Sequence, residues 1–277
     1  MNDGIIVLTP LDLAVAGLLI SIVAILNLRT DSNLSKSIAF AALRSVVQLL
    51  LIGFVLKVIF THRNVLGIAA ISFAMLLVAG REVRARQQRP FKGFWGYRIG
   101  LGSMFISSFA VTILTLLIII EPIPWYNPQY SIPILGMLLG NTMTGIALAL
   151  DRLTQSAWEQ RSMIEQRLLL GQHHREAIKD LKVASLRVGM TPNINSMAAA
   201  GIVFLPGMMT GQILAGNSPT EAAKYQILIL FLIGAGTGIG TYLGISIGSR
   251  HLFDERDRLR LDRLSSKTTT SKRGKKG

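Results

Sequence analysis

Seven apolar runs of membrane-crossing length constrain this sequence more than any other feature. A helix that crosses the hydrocarbon core of a bilayer needs about 20 predominantly apolar residues, and hydrophobic residues make up 50% of the 277 positions. Charged residues account for only 16%, against roughly 25% in soluble domains. We therefore predict an all-α, polytopic membrane protein with about seven transmembrane helices, near residues 10–28, 38–60, 64–80, 103–120, 132–150, 196–214 and 225–248.

The distribution of basic residues between these runs predicts an orientation. Of the 29 Lys and Arg residues, 25 lie in alternate connecting segments, two lie in the other segments and two lie inside the second run. Because positive charge marks the cytoplasmic side, we expect the N-terminus outside, the C-terminus inside, and a multi-pass protein of the cell's inner (plasma) membrane. The net charge of +14 is then a topology signal that anionic membrane lipid balances, and we expect no nucleic-acid partner.

We divide the chain into a transmembrane domain over residues 1–250 and a basic cytoplasmic tail over residues 251–277. Leucines and charges at helical spacing in residues 250–264 predict an extension of the last helix into the cytoplasm. Residues 265–277 contain five Lys and Arg residues, no acid and no apolar pattern, which is typical of a disordered segment.

Arg44 is an ionisable residue inside an apolar run. It lies about two turns from the predicted cytoplasmic end of the second run, and Gln48 follows one turn later on the same helix face. Intramembrane charges usually face protein or water, so both residues are candidates for a transport pathway or its gate. The alternative is a structural role, in which Arg44 reaches the inner headgroups or pairs with a carboxylate such as Asp151.

The fifth and sixth runs contain the other candidates for a pathway or gate. In the fifth, Asn141, Thr142 and Thr144 either line a pathway or form hydrogen bonds between close-packed helices. In the sixth, Pro206 and Gly207 should kink or unwind the helix. Irregular backbone at membrane depth must face protein or a water-filled cavity. The candidates that follow this break are Met208, Met209, Thr210 and Gln212.

Several kinds of chemistry are excluded by motifs that the sequence lacks. It has no Cys, no HExxH motif and no acidic pair within the apolar runs, so we predict no catalytic residues and no cofactor in this chain, and we assign no metal site. The motif GxxxxGK[ST] is also absent, so this chain cannot bind ATP in the P-loop manner. His173 and His174 should point to different helix faces without a carboxylate partner, which indicates a solvated polar surface.

Two further patterns predict helix contacts. Small residues at every fourth position of the last run form a face for close packing, and they are Gly236, Gly240, Gly244 and Gly248. The connecting segment 151–195 contains an amphipathic pattern, which predicts a helix near residues 160–190. This helix either lies on the membrane surface or docks a cytoplasmic subunit.

Three stretches of the sequence are distinctive: RSVVQLLLIGFVL at 44–56, GNTMTGIALALDRL at 140–153 and NSMAAAGIVFLPGMMTGQILAG at 195–216. With them, the chain from about Leu43 to Leu252 resembles the UPF0014 family of ABC transporter permeases. The bacterial members of that family include FetB-type iron exporters, and its plant relatives are linked to aluminium tolerance.

The resemblance implies a transport subunit and not an enzyme. It implies a separate P-loop ATPase subunit that carries ATP and Mg²⁺, and a second copy of this chain in a homodimeric permease core. The implied cargo of export is a metal ion such as iron, or a related small solute. An ATP-independent carrier or channel is the alternative, and it would need no ATPase partner.

The resemblance also points to residues that couple transport to ATP hydrolysis. ABC permeases often use a cytoplasmic loop with the pattern EAAxxxG. Here Glu165 and Gly171 keep the spacing between the Glu and the Gly, while Gln166 and Arg167 replace the two alanines. The candidates for ATPase coupling within segment 151–195 are Glu165, Gly171, Glu176 and Ala177.

Overall fold

The computed structural model describes residues 9–28, 32–62 and 64–265, without the side chain of His62. In this part of the chain 82% of the structure is helical and no β-strand is formed. The helices are α1 (Pro10–Leu28), α2 (Ser32–His62), α3 (Val65–Arg86), α4 (Trp95–Ile120), α5 (Pro128–Glu159), α6 (Arg161–Leu169), α7 (His174–Ala177), α8 (Lys179–Ala199), α9 (Gly207–Leu214) and α10 (Pro219–His251).

Several of the long helices begin at residues whose side chains cap free backbone N–H groups. The side chain of Asn64 accepts a hydrogen bond from the backbone N–H of Leu66 at the start of α3. Asn127 and Ser218 cap α5 and α10 in the same way, and each precedes a proline at the first helical position. Proline suits that position because its missing N–H would have no partner inside the helix.

Within the described residues, six helices are long and apolar enough to cross a membrane: α1, α2, α3, α4, α5 and α10. They confirm the all-α membrane class and correspond to six of the predicted runs. Most of them extend beyond the apolar run, as α5 does by reaching from Pro128 to Glu159. An apolar run in the sequence marks only the part of a helix that lies in the hydrocarbon core. The helix itself can extend further, because its polar ends bind solvent or other parts of the protein.

The remaining predicted run, 196–214, is not one helix. Helix α8 ends at Ala199, the chain turns at Gly201 with a φ of 81°, and α9 begins at Gly207. Pro206 therefore stands directly before α9, where its missing N–H removes no helical hydrogen bond, and the run is unwound and not kinked. The described residues contain six continuous candidate spans and this broken segment, and seven continuous spans are not found.

The broken segment nevertheless runs along the length of the bundle. Gly189 in α8 contacts the C-terminal half of α5, because a Cβ atom there would lie 2.8 Å from the carbonyl oxygen of Gly145. Met208 and Gln212 in α9 lie with Gln129 at the first turn of α5. Helices α8 and α9 therefore pass from one end of α5 to the other in two pieces.

The segment predicted as loop 151–195 is mostly helical. Helix α5 continues to Glu159, and the predicted helix over 160–190 is divided into α6, α7 and the first half of α8. The first of these breaks lies at Gly171, which has a φ of 87°. Helix α6 ends there because a left-handed turn, which favours glycine, terminates a helix. An amphipathic pattern cannot reveal such a turn, because the apolar positions resume in register after it.

Helix α5 is the centre of the bundle, and 17 of its residues are buried against α3, α8 and α10. The predicted glycine face of α10 is confirmed. A Cβ atom at Gly240 would lie 2.6 Å from Cγ2 of Thr142, and one at Gly236 would lie 2.9 Å from Cδ2 of Leu138. Because glycine has no side chain, α5 and α10 approach more closely than larger residues would allow.

The C-terminal ends of α3, α5 and α10 meet at one end of the bundle, which we call the basic end. The backbone N–H of Gln88 donates a 2.6 Å hydrogen bond to Asp151, and Trp95 stacks on His251. Its Arg and Lys residues come from the segments that the charge count assigns to the cytoplasm. That the basic end faces the cytoplasm remains a prediction from this charge.

The predicted extension of the last helix is wrong. Helix α10 ends at His251, and residues 252–265, here called the C-terminal segment, fold back onto the basic end. The backbone N–H of Ser265 donates to Pro90 at 2.9 Å, and Phe91 is completely buried beside Leu264. The leucines therefore pack against the residues between α3 and α4 instead of forming a helix face. Residues 266–277, most of the segment predicted to be disordered, lie outside the described residues.

Candidate functional site

A cavity of about 770 Å³ lies between α2, α3 and α5, and we call it the α2–α5 cavity. Most of its wall is apolar. Its polar lining includes Arg44 and Gln48 from α2 and Glu82 and Arg86 from α3. Two of the residues singled out from the sequence thus share one cavity.

Arg44 forms an ion pair in this cavity. Its Nη2 atom lies 2.8 Å from Oε1 of Glu82, and the side chains retain 43% and 27% exposure. The predicted partner Asp151 is wrong, since that carboxylate accepts a hydrogen bond from Gln88 near the end of α3. Glu82 thus neutralises the charge of Arg44 inside the span of α2, as the cost of an intramembrane charge requires.

The other arginine of the cavity reaches the polar part of α5. Nη1 of Arg86 donates to Oγ1 of Thr144 at 3.2 Å, and that hydroxyl donates in turn to the carbonyl of Gly140. The cavity thus holds two arginines and one carboxylate that is already paired. The described wall also includes the amide of Gln48 and the thioethers of Met75 and Met143, but no free carboxylate or imidazole. This donor set does not resemble a tight site for a hard metal ion.

Sequence reasoning missed Glu82 and Arg86 because both lie beyond the apolar run. Helix α3 continues to Arg86, so these residues follow Met75 and Ala79 along one face of the helix. Continuing the helical spacing of three and four residues beyond residue 80 would have placed both on the same face. The apolar run ends at residue 80, nearly two helical turns before α3 ends at Arg86.

The polar candidates Asn141, Thr142 and Thr144 of α5 are not among the residues that line the α2–α5 cavity. Thr142 is completely buried against Gly240, and its hydroxyl has no hydrogen-bond partner within the described residues. Asn141 is exposed, and its side chain donates to the carbonyl of Met137 at 2.8 Å. The predicted hydrogen bond between helices is found at Thr144, which accepts from Arg86 of α3, whereas Thr142 packs closely against α10 without a hydrogen bond to the described residues.

The candidates around the break in the sixth run lie elsewhere. Met208 and Gln212 line a separate pocket of about 490 Å³, the α9 pocket, with Tyr130, Glu221 and Tyr225, at the end of the bundle opposite the basic end. Thr210 donates its hydroxyl back to the carbonyl of Pro206 at 3.2 Å. Gly207 is exposed, and Met209 is half-buried outside this pocket. The predicted pathway residues are therefore divided between two places.

A third concavity lies at the basic end. The α6 groove, of about 750 Å³, is bounded by α6, the turn after it and the C-terminal segment. Glu165 and Gly171 both line it, together with Leu168, Leu169 and Arg256. The sequence-predicted pair of Glu and Gly thus lies on one accessible surface.

Large apolar side chains are exposed at the edge of this groove. Leu169 is 87% exposed and Leu170 is 84% exposed, directly before the turn at Gly171. The other two coupling candidates differ from each other, because Glu176 is exposed whereas Ala177 is fully buried. The carbonyl of Ala177 accepts a hydrogen bond from Arg167 at 3.1 Å, so this residue braces α6 and does not offer a contact surface.

Ion pairs organise the C-terminal segment that forms the other wall of the α6 groove. Arg260 binds the carboxylate of Asp262 through two 2.9 Å hydrogen bonds, which hold the pKa of Asp262 at about 2. The backbone N–H of Arg258 donates to Asp254 and lowers the pKa of that carboxyl, and the guanidinium of Arg258 adds to this effect. Both carboxylates therefore stay ionised at neutral pH.

The adjacent histidines do have a carboxylate partner, so that prediction is wrong. Nδ1 of His174 lies 2.5 Å from Oδ1 of Asp257, and Nε2 of His173 lies 3.6 Å from Oδ2. Asp257 belongs to the C-terminal segment, 83 residues after His174. The folding back of this segment creates the contact, and no local pattern around residue 173 indicates it.

Comparison with known proteins places most of the chain in one family. The family described as "Uncharacterised protein family (UPF0014)" matches residues 10–253. The UPF0014 membrane protein slr1647 of Synechocystis sp. is 35% identical over 244 residues, which cover 88% of this chain and 93% of that protein. No solved structure matches the chain significantly.

Two named relatives extend the match to other organisms. The "Probable iron export permease protein FetB" of Escherichia coli is 30% identical over 266 residues, covering 94% of this chain and 98% of that protein. The "Protein ALUMINUM SENSITIVE 3" of Arabidopsis thaliana is 32% identical over 225 residues, covering 81% of this chain and 80% of that protein.

Proposed function

The chain belongs to the UPF0014 family of membrane proteins, and we propose that it is the membrane subunit of an ABC transporter. In this proposal it works with a separate P-loop ATPase and with a second copy of itself, in the plasma membrane. The observation that carries the proposal is the α6 groove, an accessible surface at the basic end with two highly exposed leucines at its edge.

The exposed leucines favour a protein partner over bulk water. Leu169 is the last residue of α6 and Leu170 follows it, ten residues or more beyond Glu159, the last residue of the candidate span α5. Burying a leucine side chain is worth about 1.5–3 kcal/mol, and adjacent exposed apolar residues beside a groove mark an interaction surface. Arg256 and Glu165 in the same groove supply polar contacts for a partner.

The cargo is a second part of the proposal. The Escherichia coli relative is named for iron export and the Arabidopsis thaliana relative for sensitivity to aluminium. We therefore propose export of a metal ion such as iron, or of a related small solute. Within the described residues, the wall of the α2–α5 cavity offers no free carboxylate or imidazole, so a metal that passes it would travel weakly bound or as a complex.

The fold connects the proposed docking surface to the membrane part. Helix α7 and the first turn of α8 follow the turn at Gly171 directly, and α8 then packs along α5 and α10. Force applied at the α6 groove by ATPase closure would therefore reach the broken segment α8–α9. Transport requires ATP binding to favour one facing of the cavity over the other.

Purification from native membranes tests the proposal directly. We expect the tagged chain to copurify with a P-loop ATPase in equal amounts and to support ATP-dependent efflux of iron from cells. A chain that purifies alone and moves solute without ATP would contradict the proposal, and it would establish the ATP-independent carrier or channel.

Substitutions in the α6 groove test the coupling surface. We expect Glu165→Arg and Gly171→Val to reduce ATP-dependent efflux at least tenfold while the amount of folded protein in the membrane stays within twofold. Gly171→Val also forces a branched residue into a left-handed conformation, which costs about 1–2 kcal/mol locally. Efflux and copurified ATPase are measured together for each variant.

A matched control separates groove contacts from surface charge. Glu159 is an exposed carboxylate at the end of α5 that does not line the groove. Glu159→Arg changes the charge as Glu165→Arg does, and we expect normal efflux and normal ATPase binding. Equal losses in both variants would mean that the α6 groove is not the coupling surface.

A further inference from the structure

We propose that His173, His174 and Asp257 bind a divalent transition-metal ion, of the Zn²⁺ or Fe²⁺ class, and that this ion fastens the C-terminal segment to the turn after α6. The three side chains each offer one ligand atom, and these atoms lie within 4.8 Å of one another. Two imidazoles and one carboxylate are a donor set that suits zinc and non-haem iron.

The geometry requires only small adjustments to accept an ion. A zinc-type ion lies about 2.0–2.2 Å from each ligand, so its donors lie within about 4.4 Å of one another. His173, whose side chain is 53% exposed, can close the remaining few tenths of an ångström. The 2.5 Å contact between His174 and Asp257 opens slightly when an ion enters between them.

Packing holds His174 in place, whereas His173 would exchange a weak hydrogen bond for the ion. The His174 ring lies against Phe253, with 5.2 Å between ring centroids, and the side chain is only 17% exposed. Nδ1 of His173 accepts a long hydrogen bond of 3.3 Å from the backbone N–H of Arg175. Metal binding through Nε2 places the ring proton on Nδ1, so this weak bond is exchanged for a stronger metal–ligand bond.

Asp257 forms no ion pair with a Lys or Arg within the described residues, so a metal ion would supply the positive charge beside it. Within the described residues, the ion pairs of Asp257 are with the two histidines only. The neighbouring Arg258 is committed to Asp254 at 2.8 Å. Asp257 also has a φ of 56°, a left-handed conformation that Asp and Asn tolerate best among residues with side chains.

An ion at this position would connect two segments that line the α6 groove. His173 and Asp257 both border the groove, on its two sides. A bound ion would fix the width of the α6 groove. The concentration of metal ion on the side of the membrane that the basic end faces would therefore regulate docking of the ATPase. This regulatory step rests on the proposed function, whereas binding of the ion does not.

Zinc titration of the purified full-length chain tests the site. The chain carries a peptide tag without histidine, is free of ATPase, and is titrated with ZnCl₂ by calorimetry in buffer without chelator. We expect one Zn²⁺ per chain. Loss of a supporting residue around a metal typically weakens binding 10–100-fold, so we expect loss of a ligand in Asp257→Asn or His174→Gln to cost at least about 100-fold.

Controls keep the titration specific. Asp257→Asn preserves the left-handed turn because Asn tolerates it. Asp262→Asn and His251→Gln alter a carboxylate and a histidine that lie outside the cluster, and we expect both to bind Zn²⁺ as the unmodified chain does. The proposed site is wrong if the unmodified chain binds no Zn²⁺, or if all four variants bind it equally.

Trypsin cleavage tests whether the ion fastens the segment. Arg256 and Arg258 flank Asp257, so cleavage after either residue reports opening of the C-terminal segment. At free Zn²⁺ of 100 times Kd, an ion bound only to the closed form slows cleavage through opening by about 100-fold. We expect this protection in the unmodified chain and not in Asp257→Asn. Binding without protection would overturn the fastening role, and neither result bears on whether an ATPase docks.

Discussion

Gly189→Ala is expected to lower the midpoint of thermal unfolding in detergent by about 2–12 °C. A Cβ atom at this position would lie 2.8 Å from the carbonyl oxygen of Gly145 and 2.8 Å from Cβ of Ala149, where α8, α5 and α10 meet. Overpacking a tight core costs about 1–3 kcal/mol, and each kcal/mol shifts the midpoint by about 2–4 °C in a domain of this size. The backbone oxygen cannot move aside as a flexible side chain could.

Gly238→Ala in α10 is the matched control for this prediction. A Cβ atom there would meet only Cε and Sδ of Met190, at 3.7 and 3.9 Å, which is ordinary contact. Replacing glycine by alanine within a helix is itself worth about 0.5–1 kcal/mol, so we expect an unchanged or slightly higher midpoint. If both variants unfold at the same temperature as the unmodified chain, the close contact of the three helices does not exist in the membrane protein.

Removing either partner of the Arg44–Glu82 pair is expected to cost more than removing both. Arg44→Gln leaves a carboxylate, and Glu82→Gln leaves a guanidinium, without its partner in the α2–α5 cavity. An unsatisfied charged group costs about 1–3 kcal/mol or more when buried, and the partial exposure of both side chains makes the lower part of that range the expectation. In the double variant two amides can hydrogen-bond to each other, so we expect stability to recover by about 1 kcal/mol.

Transport by the same three variants decides between the structural and the pathway interpretation of Arg44. We expect efflux to fall at least tenfold in the single variants and to stay low in the double variant, although its stability recovers. Full recovery of efflux in the double variant would mean that the pair is only structural. Failure of stability to recover would show that the two side chains do not depend on each other.

The broken segment shows why parts of the fold were predictable and others were not. The sequence indicated an interruption at Pro206 and Gly207, and a break is present there. Its form was not predictable, because the same proline that disrupts a helix interior also starts a helix well. Only the turn at Gly201 and the contacts of α8 with α5 decided which of these occurs.

The residues of the candidate site were likewise predictable only in part. Arg44, Gln48 and Thr144 were found from their polarity within apolar runs, and Glu165 and Gly171 from the resemblance to the EAAxxxG pattern of ABC permeases. Glu82 and Arg86 could be placed only by continuing the helical spacing of α3 beyond its apolar run, and Asp257 carried no signal because it stands in a segment where charge is ordinary. Their importance comes from the partners that the fold brings to them.

The sequence by itself determined the membrane class, most of the spans and the glycine face of α10, because hydropathy and helical periodicity are sums over neighbouring residues. The tertiary structure alone decided that Arg44 pairs with Glu82 and that His174 meets Asp257, 38 and 83 residues apart. Such pairs depend on which helix faces meet and on where a segment folds back. These are decided by packing across the whole bundle, and no window of sequence contains both partners.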